Sequence, residues 1–234
     1  MSDFRPRIVK NAVEIDKLSL TTPCPSAQGK FSKLIFKLMT AKNQMNPRFI
    51  VYTNDPADQN DRTRGQITAN LDLPVFFTLV AKLRAVAASP EDCSEILQNT
   101  NYTFPGGKRS AEPSVVGEIR FGKKDGVCWI SILDIDQSRP KIKFEFMPSR
   151  FHRFVDRTGA DIPKGKISPM VLAGYCDILS NLVIGVAIKD YDSNYDPKAE
   201  EAAKGGGNRG NFGGGNKPPY QNNKPAEVEQ DFDF

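Results

Sequence analysis

Three short motifs in the sequence contain residue types that enzymes and metal sites use. Gly106-Gly-Lys-Arg-Ser110 has some likeness to a phosphate-binding loop, but the Gly-x4-Gly-Lys-Ser/Thr spacing is absent, which favours a basic surface loop. Asp134 and Asp136 would share one strand face, as ligands of a divalent cation do, yet without a third acid at suitable spacing a strand end leading into a turn is favoured. His152, the only histidine, has no cysteine or acid at ligand spacing. The sequence therefore predicts a protein that is not an enzyme and that holds no cofactor and no metal.

Basic and aromatic residues, in contrast, are interleaved along much of the chain. A protein that binds single-stranded nucleic acid needs positive charge for the phosphates and aromatic faces for the bases, and each stacked base is worth about 1–3 kcal/mol. Residues 30–33, 120–124 and 150–154 combine both types, and residues 99–109 add more of each, although a mobile surface loop fits that last segment equally well. The predicted nucleic-acid contacts are Lys33, Lys37, Arg48, Tyr52, Tyr102, Phe104, Lys108, Arg109, Arg120, Lys123, Lys124, Trp129, Lys141 and Lys143.

Two of these contact pairs depend on how the strands are arranged. Lys33 with Lys37 and Arg48 with Tyr52 would form one continuous surface if their strands were neighbours. Lysines that alternate with core residues are also typical of any solvent-facing sheet, so both interpretations stay open. Trp129 lies on a strand with two apolar faces, so the direction of its ring stays open as well.

The charge of the chain is unevenly distributed. The chain contains 32 basic and 28 acidic residues, a net charge of +4. Residues 227–234 hold four of the acids and no base, which leaves a net charge of +8 for residues 1–226. A basic body with an acidic end predicts a polyanionic partner for the body and a separate role for the end. The alternative is a soluble domain with a random tail.

The composition changes after residue 197. Residues 198–226 are rich in Gly, Asn and Pro and have no aliphatic residue larger than Ala, so they bury too little apolar surface to fold and predict a disordered linker. Residues 227–234, the tip, end in Phe beside acids, and such a ring with a free α-carboxylate suits a basic-rimmed apolar pocket on a partner. The predicted partner-binding residues are Glu227, Glu229, Asp231, Phe232, Asp233 and Phe234.

Most of the elements that would position these residues are predicted to be strands. Residues 31–39 and 47–53 alternate in polarity, and residues 114–134 form a predicted hairpin with Asp-Gly as its turn signal. Residues 141–147 also alternate and turn their Ile and Phe side chains inward. A small β-barrel with few helices is the architecture that this pattern favours.

Two helices are predicted among the strands. Residues 72–88 open with an Asp cap and an early Pro. A second helix is predicted to begin at Ser168-Pro169 and to run towards Asn181, whereas the β-branched residues 182–188 fit either a continued helix or a strand.

The cysteines and the apolar runs bear on location. Cys24, Cys93, Cys128 and Cys176 are widely spaced, which predicts reduced thiols rather than a zinc or redox site. The first ten residues lack the apolar region of a signal peptide, and no apolar run approaches the roughly 18–20 residues of a membrane span. The sequence therefore predicts a cytoplasmic protein with no membrane partner.

The basic body, the Gly-rich linker and the Phe-ended acidic tip together resemble the single-stranded DNA-binding proteins of replication. The tip is similar in style to that of bacterial members, which usually end in Asp-Asp-Ile-Pro-Phe. EVEQDFDF at residues 227–234 departs from that pattern and looks more like the acidic, Phe-ended tails of bacteriophage replication proteins. A body of this length with a long helix among its strands is also similar to the phage type.

The resemblance implies an OB-fold body over residues 1–197 that binds single-stranded DNA without sequence preference in replication, recombination and repair. It also implies that the tip recruits DNA polymerase, helicase–primase or similar enzymes, in the cytoplasm of a bacterial host if the chain is viral. The alternative is an RNA-binding or scaffold protein with a basic body and a regulatory acidic tail. A homo-oligomer is compatible with either interpretation.

Overall fold

Residues 12–14, 18–41, 44–58, 65–103 and 105–191 are described by the computed structural model of the chain. All of them belong to one unit, Met1–Ser193. The predicted linker (198–226) and the tip (227–234) lie outside the described residues, as does Phe104.

The described chain forms two antiparallel sheets, each followed by a helix. The bounds are β1 Ala12–Glu14, β2 Leu20–Pro23, β3 Phe31–Ala41, β4 Gln44–Tyr52, β5 Gln66–Asn70, α1 Leu73–Ala88, β6 Cys93–Asn101, β7 Ser114–Lys124, β8 Val127–Asp134, β9 Phe144–Glu145 and α2 Lys164–Asp190, with a short 3-10 turn at Pro105–Gly107. Sheet 1 has the order β1-β3-β4-β5, and β2 pairs with the same edge of β3 as β1. Sheet 2 has the order β6-β7-β8-β9.

The prediction of a mainly β protein with inserted helices is confirmed. Each half of the described chain is an antiparallel sheet followed by one helix, and its successive strands are neighbours except for β1 and β2, which share one edge of β3. Within the described residues neither sheet closes on itself, so a barrel is not shown. The two halves therefore repeat the same order of four strand positions and a helix, although the sequence shows no matching internal repeat.

The predicted hairpin is formed by β7 and β8 around a two-residue turn. Asp125 and Gly126 have φ angles of 52° and 75°, which is the left-handed region that such turns require. A Cβ atom at Gly126 would lie 2.9 Å from the Cα atom of Gly165 in the first turn of α2. Asp92 accepts hydrogen bonds from the backbone N–H groups of Asp125 and Gly126 at 2.8 and 3.3 Å, and these bonds lower the pKa of Asp92. The turn is therefore fixed between β6 and α2.

Helix α1 begins where the sequence predicts. The Asp72 carboxylate accepts a hydrogen bond from the Val75 N–H at 3.0 Å, and Pro74 lies in the first turn, where its missing N–H costs nothing. The residues of α1 that face the core recur with helical spacing. They are Phe76, Leu79, Val80, Leu83 and Val86.

Helix α2 begins earlier than predicted, at Lys164 instead of Ser168. Ser168 is buried inside the helix, and its Oγ accepts a hydrogen bond from the Cys128 N–H of β8 at 2.8 Å. The Ser168-Pro169 pair is typical of a helix start, but here Ser168 lies inside the helix and joins α2 to sheet 2. The strand alternative for residues 182–188 is wrong, because the helix continues to Asp190 and Val183 is buried in the core.

Helix α2 is also unusually apolar. Its residues Lys164–Lys189 are long and apolar enough to cross a membrane, with a mean hydropathy of 1.9 over the best window, and the sequence prediction overlooks this because polar residues interrupt the run. Leu172, Cys176 and Leu179 on one side of α2 are fully buried. The core helix of a soluble protein can have the same length and apolar composition, so these two properties do not assign α2 to a membrane.

One hydrophobic core lies between the inner faces of the two sheets and the two helices. The ring of Phe36 in β3 lies 5.5 Å from Phe49 in β4 and 5.4 Å from Phe76 in α1, measured between centroids. On the sheet-2 side, Phe146 lies 5.4 Å from Tyr175 of α2. Because the inner faces of both sheets are packed into this core, they are not available to a ligand.

Several strands differ from the sequence prediction. The sequence pattern does not predict β1, β2, β5 or β6, and residues 99–101 of the expected loop complete β6. β6 is largely polar and pairs only with β7, so it lacks the apolar alternation by which a strand is recognised. In the predicted strand 141–147 only Phe144–Glu145 is paired, although Ile142, Phe144 and Phe146 are buried as predicted.

A buried ion-pair network joins the two sheets. The guanidinium of Arg139, which follows β8, lies 2.9 Å from carboxylate oxygens of both Asp58 and Asp134. It also donates a hydrogen bond to the Gln66 carbonyl of β5 at 2.9 Å. Asp58 belongs to the connection between β4 and β5, so these bonds hold the end of β8 against sheet 1.

Candidate nucleic-acid interface

Pairing of β3 with β4 brings four predicted contacts together. Lys33 lies opposite Tyr52, and Lys37 lies opposite Arg48. Opposite residues of an antiparallel pair share a face, and these four alternate with core residues such as Leu34, so they point away from the core. We call these four residues the sheet-1 face. The neighbouring strands that the sequence prediction required are therefore present.

An apolar centre separates the two rows of the sheet-1 face. Ile35 and Ile50 are paired with each other, are 0% and 7% exposed, and lie on the side of the sheet opposite the main core. Gln66, Thr68 and Asn70 of β5 continue the rows with uncharged polar side chains. Three cations and one aromatic ring thus flank an apolar pair that is itself buried.

Trp129 points to the outer face of sheet 2, which answers the question that the sequence leaves open. Its neighbours Cys128 and Ile130 are fully buried on the inner face, whereas the Trp129 side chain is half-buried. The Lys143 Nζ atom lies 5.1 Å from the centroid of the Trp129 rings, within range of a cation–π contact. We call Trp129 and Lys143 the sheet-2 face. Lys124 and Lys141 are exposed near the two ends of β8 and β9.

Arg120 is also exposed on the outer side of sheet 2, but it is engaged in an ion pair. Its guanidinium lies 2.6 Å from a carboxylate oxygen of Glu118, which also accepts a hydrogen bond from Gln98 at 3.1 Å. The hydrogen bond from Arg120 is the largest cause that lowers the pKa of Glu118. A phosphate would have to compete with this carboxylate for Arg120.

Lys123 is placed differently from the prediction. It follows Ile119 and Phe121 on the inner face of β7 and is 6% exposed. Its ammonium donates hydrogen bonds to the carbonyls of Ala87 and Ser89, at 3.1 and 2.5 Å, at the carboxyl end of α1. Lys123 therefore caps a helix and is buried, so it does not lie on the outer face of sheet 2.

The loop after β6 holds a further cation–aromatic pair. The guanidinium carbon of Arg109 lies 3.6 Å from the centroid of the Tyr102 ring. Hydrogen bonds between Thr103 and Ser110, of 2.8 and 3.1 Å, close the base of the loop. Lys108 beside them is exposed. The pair lies apart from the sheet-1 face in the chain, and Arg109 covers one side of the Tyr102 ring.

The acids and the histidine that could have catalytic or metal-binding roles are hydrogen-bonded to neighbouring protein side chains. Asp134 binds Arg139, and Asp136 accepts hydrogen bonds from Ser138 that lower its pKa, as the predicted turn requires. His152 shares a 2.8 Å hydrogen bond between its Nδ1 and the Ser149 Oγ on the surface. Across the described ranges, no group of three or more His, Cys, Asp or Glu side chains is placed to hold a metal ion.

The sequence analysis does not select three further surface residues that combine a cation with aromatic rings, namely Arg150, Phe151 and Phe31. The guanidinium carbon of Arg150 lies 4.9 Å from the centroid of Phe151 and 5.9 Å from that of Phe31. Both rings are exposed, at 78% for Phe151 and 46% for Phe31. The signal was present in the interleaved segments 30–33 and 150–154, but their proximity depends on the fold.

The structure thus places predicted contacts in three surface regions, the sheet-1 face, the sheet-2 face and the Tyr102 loop, and moves Lys123 into the interior. The chain matches no protein-family model, no curated protein and no solved structure.

Proposed function

We propose that this protein binds single-stranded DNA without sequence preference and coats and protects exposed strands during DNA replication, recombination and repair. The observation that carries the proposal is the register of β3 and β4, which gathers Lys33, Lys37, Arg48 and Tyr52 on one outer face. Phosphates would lie against the three cations, and a base would stack on the Tyr52 ring.

The sheet-2 face adds a second unit of the same chemistry. Trp129 offers a large stacking surface, and Lys143 beside it offers a charge for a phosphate. A single strand is able to follow separate cation–aromatic units because its bases are free to turn outward, whereas the bases of a duplex are stacked inside it.

An OB-fold body is the finer part of this proposal. What supports it is that antiparallel strands of both sheets surround one core and that β5 of sheet 1 lies against β8 of sheet 2. A crystal structure of the protein with oligo-dT tests this part, because a closed barrel would support it and two open sheets would overturn it.

The acidic tip would recruit DNA polymerase, helicase–primase or similar enzymes to the coated strand, in the cytoplasm of a bacterial host. The support is the sequence of residues 227–234, which combines four acids with two Phe residues and a terminal carboxylate.

Titration of the full chain with labelled oligo-dT, an oligo-U of equal length and a duplex tests the proposed function. We expect the tightest binding to oligo-dT and a linear loss of log affinity with log salt, with a slope of about −0.7 for each neutralised phosphate. Equal affinity for the duplex, or no binding to oligo-dT, would overturn the proposal. A clear preference for oligo-U would favour the RNA-binding alternative.

A further inference from the structure

A large groove lies between the start of sheet 1, the segment after β9 and the first half of α2. Its volume is about 1100 Å³. Leu20, Val171 and Tyr175 contribute an apolar floor, and the Tyr175 hydroxyl is buried without a hydrogen-bond partner in the described part of the chain. We call this cavity the α2 groove.

The rim of the α2 groove is basic and aromatic. Lys143, Arg150 and Lys164 line it, against one acid among the described lining residues, Glu145. Phe31 and Phe151 line it as well, with the Arg150 guanidinium near both rings. An apolar floor with aromatic walls suits planar bases, and the net positive rim suits their phosphates.

The α2 groove is continuous with both proposed binding faces. Phe31 and Lys33 lie on the same side of β3, because strand side chains alternate, so one end of the groove meets the sheet-1 face. Lys143 lines the groove and contacts Trp129, so another part meets the sheet-2 face. A strand that occupies both faces has the groove as its connecting path.

We propose that the α2 groove binds bases of single-stranded DNA, which stack on Phe31 and Phe151 while the adjoining phosphates contact Arg150. This inference rests on the proposed function and names the path of the strand between the two sheets. Another occupant of suitable chemistry is the acidic, Phe-ended tip of this chain. The α2 groove is continuous with the sheet-1 face and the sheet-2 face, which favours a DNA strand as its occupant, because the short tip would need only a single pocket.

The test compares oligo-dT affinity of the full chain with that of Phe31→Ala, Phe151→Ala and Arg150→Gln. We expect each Phe variant to bind about 5- to 150-fold more weakly with an unchanged salt slope, because one stacked base is worth about 1–3 kcal/mol. Arg150→Gln should weaken binding and reduce the magnitude of the slope by about 0.7. All three side chains are exposed, so thermal unfolding should be close to that of the original chain.

Matched controls lie in the same loop. Phe154 is 54% exposed and does not line the groove, and Arg153 is bonded to Asp161 at 2.8 Å, so Phe154→Ala and Arg153→Gln should keep oligo-dT affinity. Groove variants that bind oligo-dT like the original chain would overturn the groove proposal and leave the proposed function standing. If those variants lose only binding of an added EVEQDFDF peptide, the tip is the occupant and the proposal is also overturned. An original chain that fails to bind oligo-dT would overturn both.

Discussion

The surroundings of single basic residues differ even between neighbours in the chain. Lys123 is buried on the inner face of β7, whereas Lys124 is exposed on the outer side. Arg120 carries its own carboxylate partner, Glu118, at 2.6 Å. A count of Lys and Arg therefore overstates the charge that a DNA strand would meet.

Removing a cation from the sheet-1 face should have a different signature from removing its aromatic ring. Lys33→Gln, Lys37→Gln and Arg48→Gln should each weaken oligo-dT binding and reduce the magnitude of the salt slope by about 0.7, because each loses one phosphate contact. Tyr52→Ala should weaken binding by about 1–3 kcal/mol with little change in slope, because stacking releases no counterion. Affinity measured at several salt concentrations separates the two.

Two control variants accompany this series. Tyr52→Phe keeps the ring and should retain most of the affinity, and Lys189→Gln removes an exposed charge that belongs to the last turn of α2 and not to the sheet-1 face. Unchanged affinity in all four sheet-1 variants would show that the strand binds elsewhere.

The sequence predicts part of this surface because alternation is a local property. The sides of β3 and β4 on which Lys33, Lys37, Arg48 and Tyr52 lie follow from the polarity pattern. The pairing of β3 with β4 is tertiary structure, so the sequence analysis could only assume it. The burial of Lys123 could have been predicted, because it alternates with the apolar residues Ile119 and Phe121 on one side of β7. It was assigned to the surface instead because basic residues are clustered around it.

Among the elements, α1 depends on a residue that is distant in sequence. The last carbonyls of a helix have no partner within the helix, and Lys123 of β7 supplies donors to the Ala87 and Ser89 carbonyls. Lys123→Met keeps the aliphatic stem and removes the ammonium. We expect a loss of about 1–3 kcal/mol in the free energy of unfolding, because two half-buried carbonyls lose their donor. Urea unfolding measures it.

Lys124→Met is the matched control for this prediction. Lys124 is exposed, so its replacement should change the free energy of unfolding by no more than about 0.5 kcal/mol. The prediction would be contradicted by a Lys123→Met variant of unaltered stability that binds oligo-dT with a smaller salt slope, since Lys123 would then act at the DNA.

Elements with strong local signals are predicted well, and those held by tertiary contacts are not. The Asp72 cap and the Asp125-Gly126 turn are readable because a few adjacent residues decide the backbone conformation. β6 is largely polar and exists through its pairing with β7. The start of α2 is misread because Ser168, a capping residue by type, is used to bind Cys128 across the core.

In the molecule as a whole, two sheet-and-helix halves share one core and turn two sheet faces outward. The described body therefore offers a strand more than one cation–aromatic surface, with the α2 groove between them. A long path of this kind suits binding that ignores sequence, because affinity is spread over many phosphates and stacked bases.

The acidic tip should compete with DNA for this basic body. The tip carries four acidic side chains against a net charge of +8 for residues 1–226. The composition of residues 198–226 predicts a flexible tether with a typical reach of roughly 30 Å, and the effective concentration on such a tether reaches the millimolar range. A tip displaced by DNA would become available to partner enzymes, so that they are recruited to coated strands.

Deleting residues 227–234 is therefore expected to raise affinity for oligo-dT, most at low salt, where screening is weakest. The same deletion should abolish binding of replication enzymes, because the acidic, Phe-ended segment is their proposed contact. Two full-length variants separate these roles, since Phe234→Ala keeps all four acidic side chains and should lose only enzyme binding. Replacing Glu227, Glu229, Asp231 and Asp233 by their amides keeps both Phe residues and should reproduce the gain in DNA affinity. If the truncated chain binds oligo-dT no more tightly than the full chain at low salt, competition by the tip is ruled out, whatever the tip recruits.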